Sequence, residues 1–491
     1  MTALNPIATI PPVSLRILQS ETCLINLRTR MPFKYGIATM TDVPYAFLRL
    51  RVEINGTVHD GFAADNLPPK WFTKVPEQPI GEEMTQMLCV IEHAREAATG
   101  LQAETAFELW LEIAEAQSQW GTENQIAPLL HGFGTSMVER ALIEACCRAW
   151  EKPFAHALTD NNFGISLDAM QVETGATQPA DWLPATPLKS IIVRHTIGLA
   201  DPLTAADITP AQKADDALPQ ALTDCISVYG LRHFKIKING QPNTDLARLH
   251  ALSKIITQNA PADLAFTLDG NEQFNSITDF QTFWQSVQDD ATLRNFFSKL
   301  LFIEQPLHRD IALDESLREQ FDQWPERPPI IIDESDATLD SLPTALRLGY
   351  AGTSHKNCKG IFKGIANRCL IEKRAREGDA VLMTGEDLCN IGPVALLQDL
   401  AVCATLGIES VERNGHHYHP GLSQLPQSIQ DATVLHHPDL YDISPDGWPT
   451  LNLRDGRIPM DSINLAPFGV GFKPDTTNLT PACDWEPPIR P

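Results

Sequence analysis

Five short stretches between residues 234 and 386 decide the fold of this chain, because in each an apolar run leads into a charged residue. They are Phe234-Lys235-Ile236-Lys237-Ile238, Thr267-Leu268-Asp269-Gly270-Asn271, Phe302-Ile303-Glu304-Gln305-Pro306, Ile331-Ile332-Asp333-Glu334-Ser335 and the weaker His355-Lys356. One carboxylate after an isoleucine pair is ordinary, since strands often end in a polar residue at the surface. Here the charged residues recur roughly every 30 residues, about the length of one strand–helix unit. This spacing predicts successive strands whose charged ends serve one site.

The surrounding sequence extends the pattern to a complete barrel. Strand-like runs alternate with helical stretches over residues 191–195, 233–238, 264–268, 300–303 and 330–332, with weaker candidates near 353–356, 380–384 and 408–411. Eight such units over about 220 residues match the size of a (β/α)8 barrel. The alternative is an open doubly wound sheet, which offers fewer strands and needs a Gly-rich first turn that this sequence lacks.

The regions on either side of the barrel predict further units. Alternating residues from about 14 to 61 predict antiparallel strands with a hairpin turn at Asn55-Gly56, and residues 28–40 and 62–76 read as loops. Helical periodicity follows from 82 to 151. Residues near 161–187 are irregular, so we place a boundary there. The predicted regions are an N-terminal α+β domain at 1–165, the barrel at 188–414 and a C-terminal segment at 415–491.

Composition and charge exclude several classes of protein. The chain has 491 residues, 43% of them hydrophobic, which is enough for a sizeable core. A net charge of -24 opposes binding to phosphate backbones, so we expect no nucleic-acid partner. The beginning, Met1-Thr-Ala-Leu-Asn-Pro, lacks the basic and apolar parts of a signal peptide, and no run of about 18 apolar residues predicts a membrane span. Ten cysteines without a Cys-x-x-Cys pair predict reduced thiols in a cytoplasmic protein, without a paired-cysteine zinc site.

The charged residues at the strand ends point to metal-assisted proton transfer. In a barrel the C-terminal ends of successive strands share one mouth, and Lys235 and Lys237 share a strand face because side chains alternate. Carboxylates at Asp269, Glu304 and Asp333 would repel one another unless a hard cation such as Mg²⁺ or Mn²⁺ neutralised them. A lysine near such a cation and a second ammonium has a lowered pKa and can act as a base. Proton abstraction beside a substrate carboxylate then gives an enediolate, which the metal stabilises.

Each of these residues also has a simpler interpretation when it is taken alone. A Lys-x-Lys pair is usually a solvated strand face, and an aspartate after a strand is usually a helix cap. Glu386, at the end of the seventh strand, is equally well a substrate-binding residue or a helix cap. His416, His417 and His419 invite a metal-site interpretation, but three histidines beside Pro420-Gly421 are more typical of a polar loop.

The motifs resemble those of the enolase superfamily, in particular the muconate-lactonizing-enzyme-like subgroup of the mandelate racemase family, and the resemblance covers most of the chain. It implies a modified TIM barrel, (β/α)7β, under an α+β capping domain built from the N-terminal region and the C-terminal segment. Residues 30–36 resemble the mobile loop of that cap. The matching motifs are Lys235-Ile236-Lys237, Asp269-Gly270-Asn271, Glu304-Gln305-Pro306, Asp333-Glu334-Ser335 and Lys356.

The same resemblance implies a role for each matching residue. Asp269, Glu304 and Asp333 would bind Mg²⁺, with Mn²⁺ as the alternative metal. Lys237 and Lys356 would be the two acid/base groups on opposite faces of the substrate, and Lys235 would assist Lys237. The remaining residues, Asn271, Glu334 and Glu386, would support the ligands or bind substrate.

The sequence departs from the family pattern in two places. The two glycines that often follow the last lysine are separated here in Asn357-Cys-Lys-Gly-Ile-Phe-Lys-Gly. The Asp-x-Asp by which dipeptide epimerases hold a substrate ammonium has only a loose equivalent in Glu412-Arg413-Asn414, which puts that substrate in doubt.

The predicted activity is α-proton abstraction from a small carboxylate substrate by a racemase or epimerase. Cycloisomerisation and elimination of water use the same intermediate and stay open, as does a barrel that binds without catalysis. Oligomers are common in such families, which leaves a homo-oligomer open here. The sequence does not identify the substrate, because cap loops determine it.

Overall fold

The computed structural model describes residues 14–488. The stretch from Met1 to Pro6, on which the signal-peptide prediction rests, lies outside the described residues. Among residues 14–488, no helix is both long and apolar enough to cross a membrane.

The N-terminal region forms an antiparallel sheet with helices packed on one side. Its strands are β1 (Leu15–Tyr35), β2 (Ala38–Ile54), β3 (Thr57–Asn66) and β4 (Gln102–Ala103). The turn between β2 and β3 is the predicted Asn55-Gly56 hairpin, with φ of 52° and 79°, because this turn type needs left-handed backbone at both positions. The helices are α1 (Ile80–Ala98), α2 (Ala106–Glu123), α3 (Pro128–Trp150) and α4 (Phe154–Thr159).

Helix α3 is the central helix of this domain and lies directly on the sheet. It starts at Pro128, whose fixed φ suits a first helical turn, and it ends where Glu151 adopts left-handed backbone. Gly61 of β3 allows the close approach, since a Cβ there would lie 1.9 Å from the carbonyl oxygen of Ala141. The predicted α+β cap is confirmed.

Eight parallel strands close into a barrel, as predicted. They are β5 (Ser190–Ile197), β6 (His233–Lys237), β7 (Ala265–Asp269), β8 (Leu300–Glu304), β9 (Ile330–Ile332), β10 (Gly352–His355), β11 (Leu382–Gly385) and β12 (Ser410–Glu412). Each strand pairs with the next, and β12 pairs with β5 to close the ring. Apolar residues such as Ile236, Leu268 and Ile303 are buried in the wall, which explains the near-continuous hydrophobic runs.

Helices on the outside of the barrel connect its strands. They are α5 (Leu222–Tyr229), α6 (Pro242–Asn259), α7 (Ile277–Asp289), α8 (Arg294–Phe297), α9 (Arg309–Ala312), α10 (Leu317–Asp322), α11 (Ser341–Leu348), α12 (Ile361–Glu377) and α13 (Val394–Thr405). The last strand is followed only by the short α14 (Gly415–Tyr418). Seven strand–helix units and an eighth strand therefore make up the described barrel.

Both predicted loops differ from the structure: the loop predicted at 62–76 begins only after Asn66, where β3 ends, and the loop predicted at 28–40 is wrong. Residues 28–40 continue β1 and β2 as a hairpin that turns at Gly36, and Phe33 pairs with Met40. Met31, Phe33 and Tyr35 are buried while the residues between them are more exposed, which is the period of a strand. Polar residues and Gly36 interrupt the hydrophobic pattern, so the sequence did not reveal this alternation.

The C-terminal segment contacts both parts of the molecule. Its elements are α15 (Gln427–His436), β13 (Tyr441–Ile443), β14 (Pro449–Leu451), β15 (Arg457–Pro459), α16 (Asp461–Leu465) and β16 (Thr480–Pro481). Strand β15 runs antiparallel to β5 of the barrel, and β16 runs antiparallel to β1 of the cap. The domain limits at 165, 188 and 414 stay predictions; residues between 166 and 187 contain only the short 3-10 turns Val172–Thr174 and Pro179–Asp181.

Candidate active site at the barrel mouth

The charged residues predicted from the strand ends meet in one buried cluster, which we call the mouth cluster. It comprises Lys235, Lys237, Asp269, Glu304, Asp333, Lys356, Glu386 and Glu412. Lys235 and Lys237 lie on β6 and face the same way, as strand alternation requires. Because neighbouring strands are in parallel register, Lys237 lies beside Asp269 and Asp269 lies beside Glu304.

Lys235 is the centre of the mouth cluster. Its side chain is only 1% exposed, and its Nζ forms four ion pairs. The partners are Glu386 Oε2 at 2.7 Å, Glu304 Oε1 and Glu412 Oε2 at 2.8 Å, and Asp269 Oδ2 at 2.9 Å. A single ammonium thus compensates carboxylates from four different strands.

Lys237 and Lys356 lie on opposite sides of the barrel. Lys237 Nζ is 2.5 Å from Asp269 Oδ2, whereas Lys356 Nζ is 2.6 Å from Asp333 Oδ2 and 3.0 Å from Glu386 Oε2. Lys237 ends β6 and Lys356 follows β10, and these strands are four positions apart in a closed ring of eight. The two amines therefore approach the mouth from opposite directions.

The carboxylates fall into two electrostatic groups. Burial alone would raise the pKa of Asp333, but Lys356 and Lys359 lower it well below its usual value. Lys235 and Lys356 likewise overcome burial and hold the pKa of Glu386 well below normal. Burial and the neighbouring charge of Glu386 instead raise the pKa of Glu304 well above normal. Glu304 is therefore the mouth carboxylate whose negative charge is least compensated.

Three of these carboxylates could hold a metal ion. One oxygen from each of Glu304, Asp333 and Glu386 lies within 4.8 Å of the others, and all three residues are buried. Glu304 Oε2 is buried without a hydrogen-bond partner, so it has an unused ligand position. An all-oxygen donor set suits Mg²⁺ or Mn²⁺, and these residues fit such an ion.

This set overlaps the predicted one without matching it. Glu304 and Asp333 are predicted ligands, while Glu386 is predicted to bind substrate or to support the ligands. Asp269 contacts Lys235 and Lys237, and its Oδ1 accepts the Asn271 backbone N–H at 2.8 Å. The assignment of Asp269 as a metal ligand stays a prediction.

The carboxylates of the mouth raise the pKa of two lysines, whereas the lowered pKa expected from the sequence requires a bound cation. Burial acts to lower the pKa of Lys235, but Asp269, Glu304 and the other carboxylates raise it well above its usual value. Asp333 and Glu386 raise the pKa of Lys356 in the same way. The carboxylates thus favour the protonated form of both lysines, and their neutralisation by a bound ion would remove the cause of both shifts.

Asn271 and Glu334 are both buried next to the mouth cluster, and Asn271 also lines the cavity. Asn271 Nδ2 donates to Glu334 Oε1 at 3.4 Å. Burial and the charges of Glu272 and Asp333 raise the pKa of Glu334 to about 7. Both residues stay predicted supporting residues rather than tested ones.

Gln305 is a structural member of the site that the sequence analysis did not assign. Its backbone is left-handed, with φ of 34°, which turns the chain sharply after Glu304. Its Oε1 accepts the Asp333 backbone N–H, and its Nε2 donates to Ser335 Oγ, both at 2.8 Å. The side chain thereby connects the ends of β8 and β9.

Three further contacts were missed for different reasons. Glu412 was weighed only as half of an Asp-x-Asp equivalent, although it ends β12 like the other strand-end carboxylates. Arg194 on β5 donates to Glu386 Oε1 at 3.2 Å, and the alternation of that strand could have indicated it. Trp71 lies with its ring 4.5 Å from Lys356 Nζ, and nothing in the sequence signals that contact.

The cap closes the mouth from above. Phe33, Tyr35, Met40 and Trp71 of the cap line a cavity together with Lys237 and other residues of the mouth cluster. Its free volume is about 40 Å³, so the side chains around the mouth are closely packed. The histidines at 416, 417 and 419 do not line the cavity, and His417 and His419 are buried elsewhere.

Comparison with known proteins places the fold. No protein-family model matches the chain, and no curated protein matches it in sequence. Among solved structures, a muconate lactonizing enzyme from Pseudomonas fluorescens complexed with muconolactone is 18% identical, with a TM-score of 0.56 over 91% of this chain and 94% of that chain. A 2-chloromuconate cycloisomerase from Rhodococcus opacus is 14% identical, with a TM-score of 0.58 over 90% of this chain and 94% of that one.

A dipeptide epimerase from Enterococcus faecalis, complexed with Mg and the dipeptide L-Leu-L-Tyr, is 16% identical. Its TM-score is 0.55, over 82% of this chain and 92% of that chain. These likenesses cover most of the chain at low identity. The chain therefore has the same capped-barrel fold as these muconate lactonizing enzyme, cycloisomerase and dipeptide epimerase structures, as the resemblance implied.

Proposed function

We propose that this chain, which has the enolase-superfamily fold, is a Mg²⁺-dependent enzyme that abstracts the α-proton of a small carboxylate substrate. The favoured outcome is racemisation or epimerisation. One observation carries the proposal: Lys237 and Lys356 face each other across the barrel mouth, with a candidate cation site between their strands. Two amines on opposite sides suit removal of a proton from one face and its return to the other.

The carboxylates and the lysines have different proposed roles, which follow from their charges. Glu304, Asp333 and Glu386 would hold the ion, which would supply positive charge for the developing enediolate. Lys237 and Lys356 would each hold or accept a proton at Nζ. Lys235 contacts carboxylates of four strands, so it keeps the cluster compact and sets the position of Lys237 two residues later.

The alternatives differ only in the fate of the common intermediate. A cycloisomerase would close or open a lactone, and a dehydratase would expel a β-leaving group. Named neighbours of both the epimerase and cycloisomerase kinds share this fold. Racemisation is preferred because only it and epimerisation require a lysine on each side.

Hydrogen–deuterium exchange at the α-carbon tests the proposal. The protein would be incubated in D2O with Mg²⁺ and with pairs of enantiomers of hydroxy acids, amino acids and N-acyl amino acids, and with diastereomeric dipeptides. Lys237→Ala should stop exchange of one stereoisomer, and Lys356→Ala should stop exchange of the other. We expect losses of about 10²- to 10⁴-fold.

Lys363→Ala is the matched control, since Lys363 is a buried lysine on α12 that pairs with Asp336 at 2.8 Å and does not line the cavity. It should keep exchange of both stereoisomers. Unchanged exchange in either the Lys237 or the Lys356 variant would disprove the two-base assignment. A lactone or dehydrated product would establish one of the alternatives.

A further inference from the structure

Strand β5 presents polar side chains to both sides of the barrel wall. Arg194 and Thr196 reach inward to Glu386 and Glu412, respectively. His195, the residue between them, therefore points outward to the helical layer. It is buried there, away from the mouth cluster.

His195 meets two other potential metal ligands in this layer, Cys225 of α5 and His417 of α14. One donor atom from each of the three residues lies within 4.8 Å of the others, and all three are buried. Cys225 Sγ is 3.6 Å from His417 Nδ1. The ligands come from three separate elements of the chain, so the packing of the barrel is what brings them together.

In a tetrahedral zinc site, bond lengths and angle fix the distance between a cysteine sulfur ligand and a histidine nitrogen ligand. Zn–S bonds of about 2.3 Å and Zn–N bonds of about 2.0 Å at a tetrahedral angle separate the two ligand atoms by about 3.5 Å. The observed 3.6 Å between Cys225 and His417 fits that value. We propose that His195, Cys225 and His417 form a Zn²⁺ site between the barrel wall and α5, separate from the mouth cluster.

Polar groups lie beside both histidines, although the contact from His417 to Asp201 is longer than a hydrogen bond. A ligating histidine usually directs its other ring nitrogen to a carboxylate or another polar partner. With Nδ1 of His417 toward Cys225, its Nε2 faces Asp201 Oδ2 at 3.9 Å, and Asp201 is itself held by the Tyr418 hydroxyl at 2.6 Å. His195 Nδ1 is 3.2 Å from His416 Nε2, so His416 is the polar partner of that ring nitrogen.

The ligand types select the metal. A thiolate and imidazoles favour zinc over magnesium, whereas the oxygen-only set in the mouth favours the reverse. A single cysteine is sufficient, so the absence of paired cysteines in the sequence does not exclude the site. The ion would fasten α5 and α14 to β5, and Arg30 of the cap hairpin donates to the His417 carbonyl at 3.0 Å. The proposed role is structural, and it joins the barrel to the cap.

Cobalt substitution tests the site by its spectrum. The full chain would be stripped with a chelator, given excess Mg²⁺ to occupy the mouth, and titrated with Co²⁺. We expect one equivalent to produce a thiolate-to-cobalt charge-transfer band and the visible bands of tetrahedral cobalt. Cys225→Ser should abolish the charge-transfer band, and Asp201→Asn should weaken binding about 10- to 100-fold.

Cys369→Ser is the matched control, because Cys369 is also a buried free cysteine on a barrel helix. The charge-transfer band should persist in this variant. Absence of the band in the unsubstituted chain, or its persistence in Cys225→Ser, would overturn the proposal. Zinc-edge X-ray absorption on the unsubstituted chain needs no variant. It should show one sulfur at about 2.3 Å, and a shell without sulfur would refute the site.

Discussion

Buried carboxylates in two regions of this protein have pKa values that are shifted in opposite directions. In the mouth, Asp333 has Lys356 at 2.6 Å and Lys359 at 3.1 Å, and its pKa is well below normal. At the junction of cap and barrel, Glu139 of α3 accepts the backbone N–H groups of Ile361 at 3.0 Å and Phe362 at 2.6 Å. Burial raises the pKa of Glu139 to about 7, although the backbone donors act in the opposite direction.

The difference shows that burial by itself does not make a site reactive. Both carboxylates are fully buried, and both have good hydrogen bonds. In the mouth, Lys356 and Lys359 contact Asp333 directly and keep its negative charge in place, whereas the charges of Arg140 and Lys363 lower the pKa of Glu139 less than burial raises it. Glu139 serves instead as a cap on the first turn of α12, where one negative charge is stabilised by the helix N-terminus.

The largest effect is expected from removing the least compensated charge of the mouth. Glu304→Gln should reduce Mg²⁺-dependent exchange on the order of a thousandfold, because it deletes one charged oxygen of the candidate cation site. Calorimetric titration should show Mg²⁺ binding lost in parallel.

Asp336→Asn is the control for that variant. Asp336 is also buried, but it pairs with Lys363 at 2.8 Å and lies outside the candidate set. The Asp336→Asn variant should therefore still bind Mg²⁺. Equal Mg²⁺ affinity in Glu304→Gln and the unsubstituted chain would remove Glu304 from the metal site.

The next effect concerns stability. Lys235→Met should lower the free energy of unfolding by about 3–5 kcal/mol, because it leaves several buried carboxylates without their shared ammonium. Added Mg²⁺ should restore part of the loss, which would make the variant more metal-dependent than the unsubstituted chain in thermal unfolding. The exposed Lys254 gives a control, Lys254→Met. A variant as stable as the control would contradict the central role of Lys235.

The smallest effect is the pH dependence that comes from Glu139. Its folded pKa of about 7 exceeds its ordinary value of 4.5, so the stability it contributes is present below pH 4.5 and is lost as the pH rises through 7. Between pH 4.5 and 8, Glu139→Gln should gain about 3 kcal/mol relative to the unsubstituted chain. Urea unfolding at several pH values measures this gain, with the exposed Glu112→Gln as the control. Parallel pH curves would show that Glu139 does not titrate as described.

The sequence predicted the barrel because its signal is periodic. Each strand is a short apolar run, and its charged last residue lies at the mouth by topology alone, as Asp269, Glu304 and Asp333 illustrate. The same rule could have placed Glu412 in the site. It could not decide which carboxylates group around a cation, since that depends on side-chain distances.

Other contacts could not be predicted from the sequence, for a different reason. The hairpin at residues 28–40 was missed because its polar residues masked the strand period. The group of His195, Cys225 and His417 joins one strand and two helices whose residues follow no common spacing. Only packing brings such residues together.

The pairing of β16 with β1 bears on how the chain folds. Cys23 and Pro481 are partners in one sheet, although the whole barrel lies between them in sequence. During synthesis, the part of β1 that pairs with β16 therefore stays without that partner until all the barrel strands have been made. An unpaired edge strand is a template for association with other chains, and contacts this distant slow folding. Nascent or truncated chains that lack β16 would accordingly be the forms most in need of a chaperone.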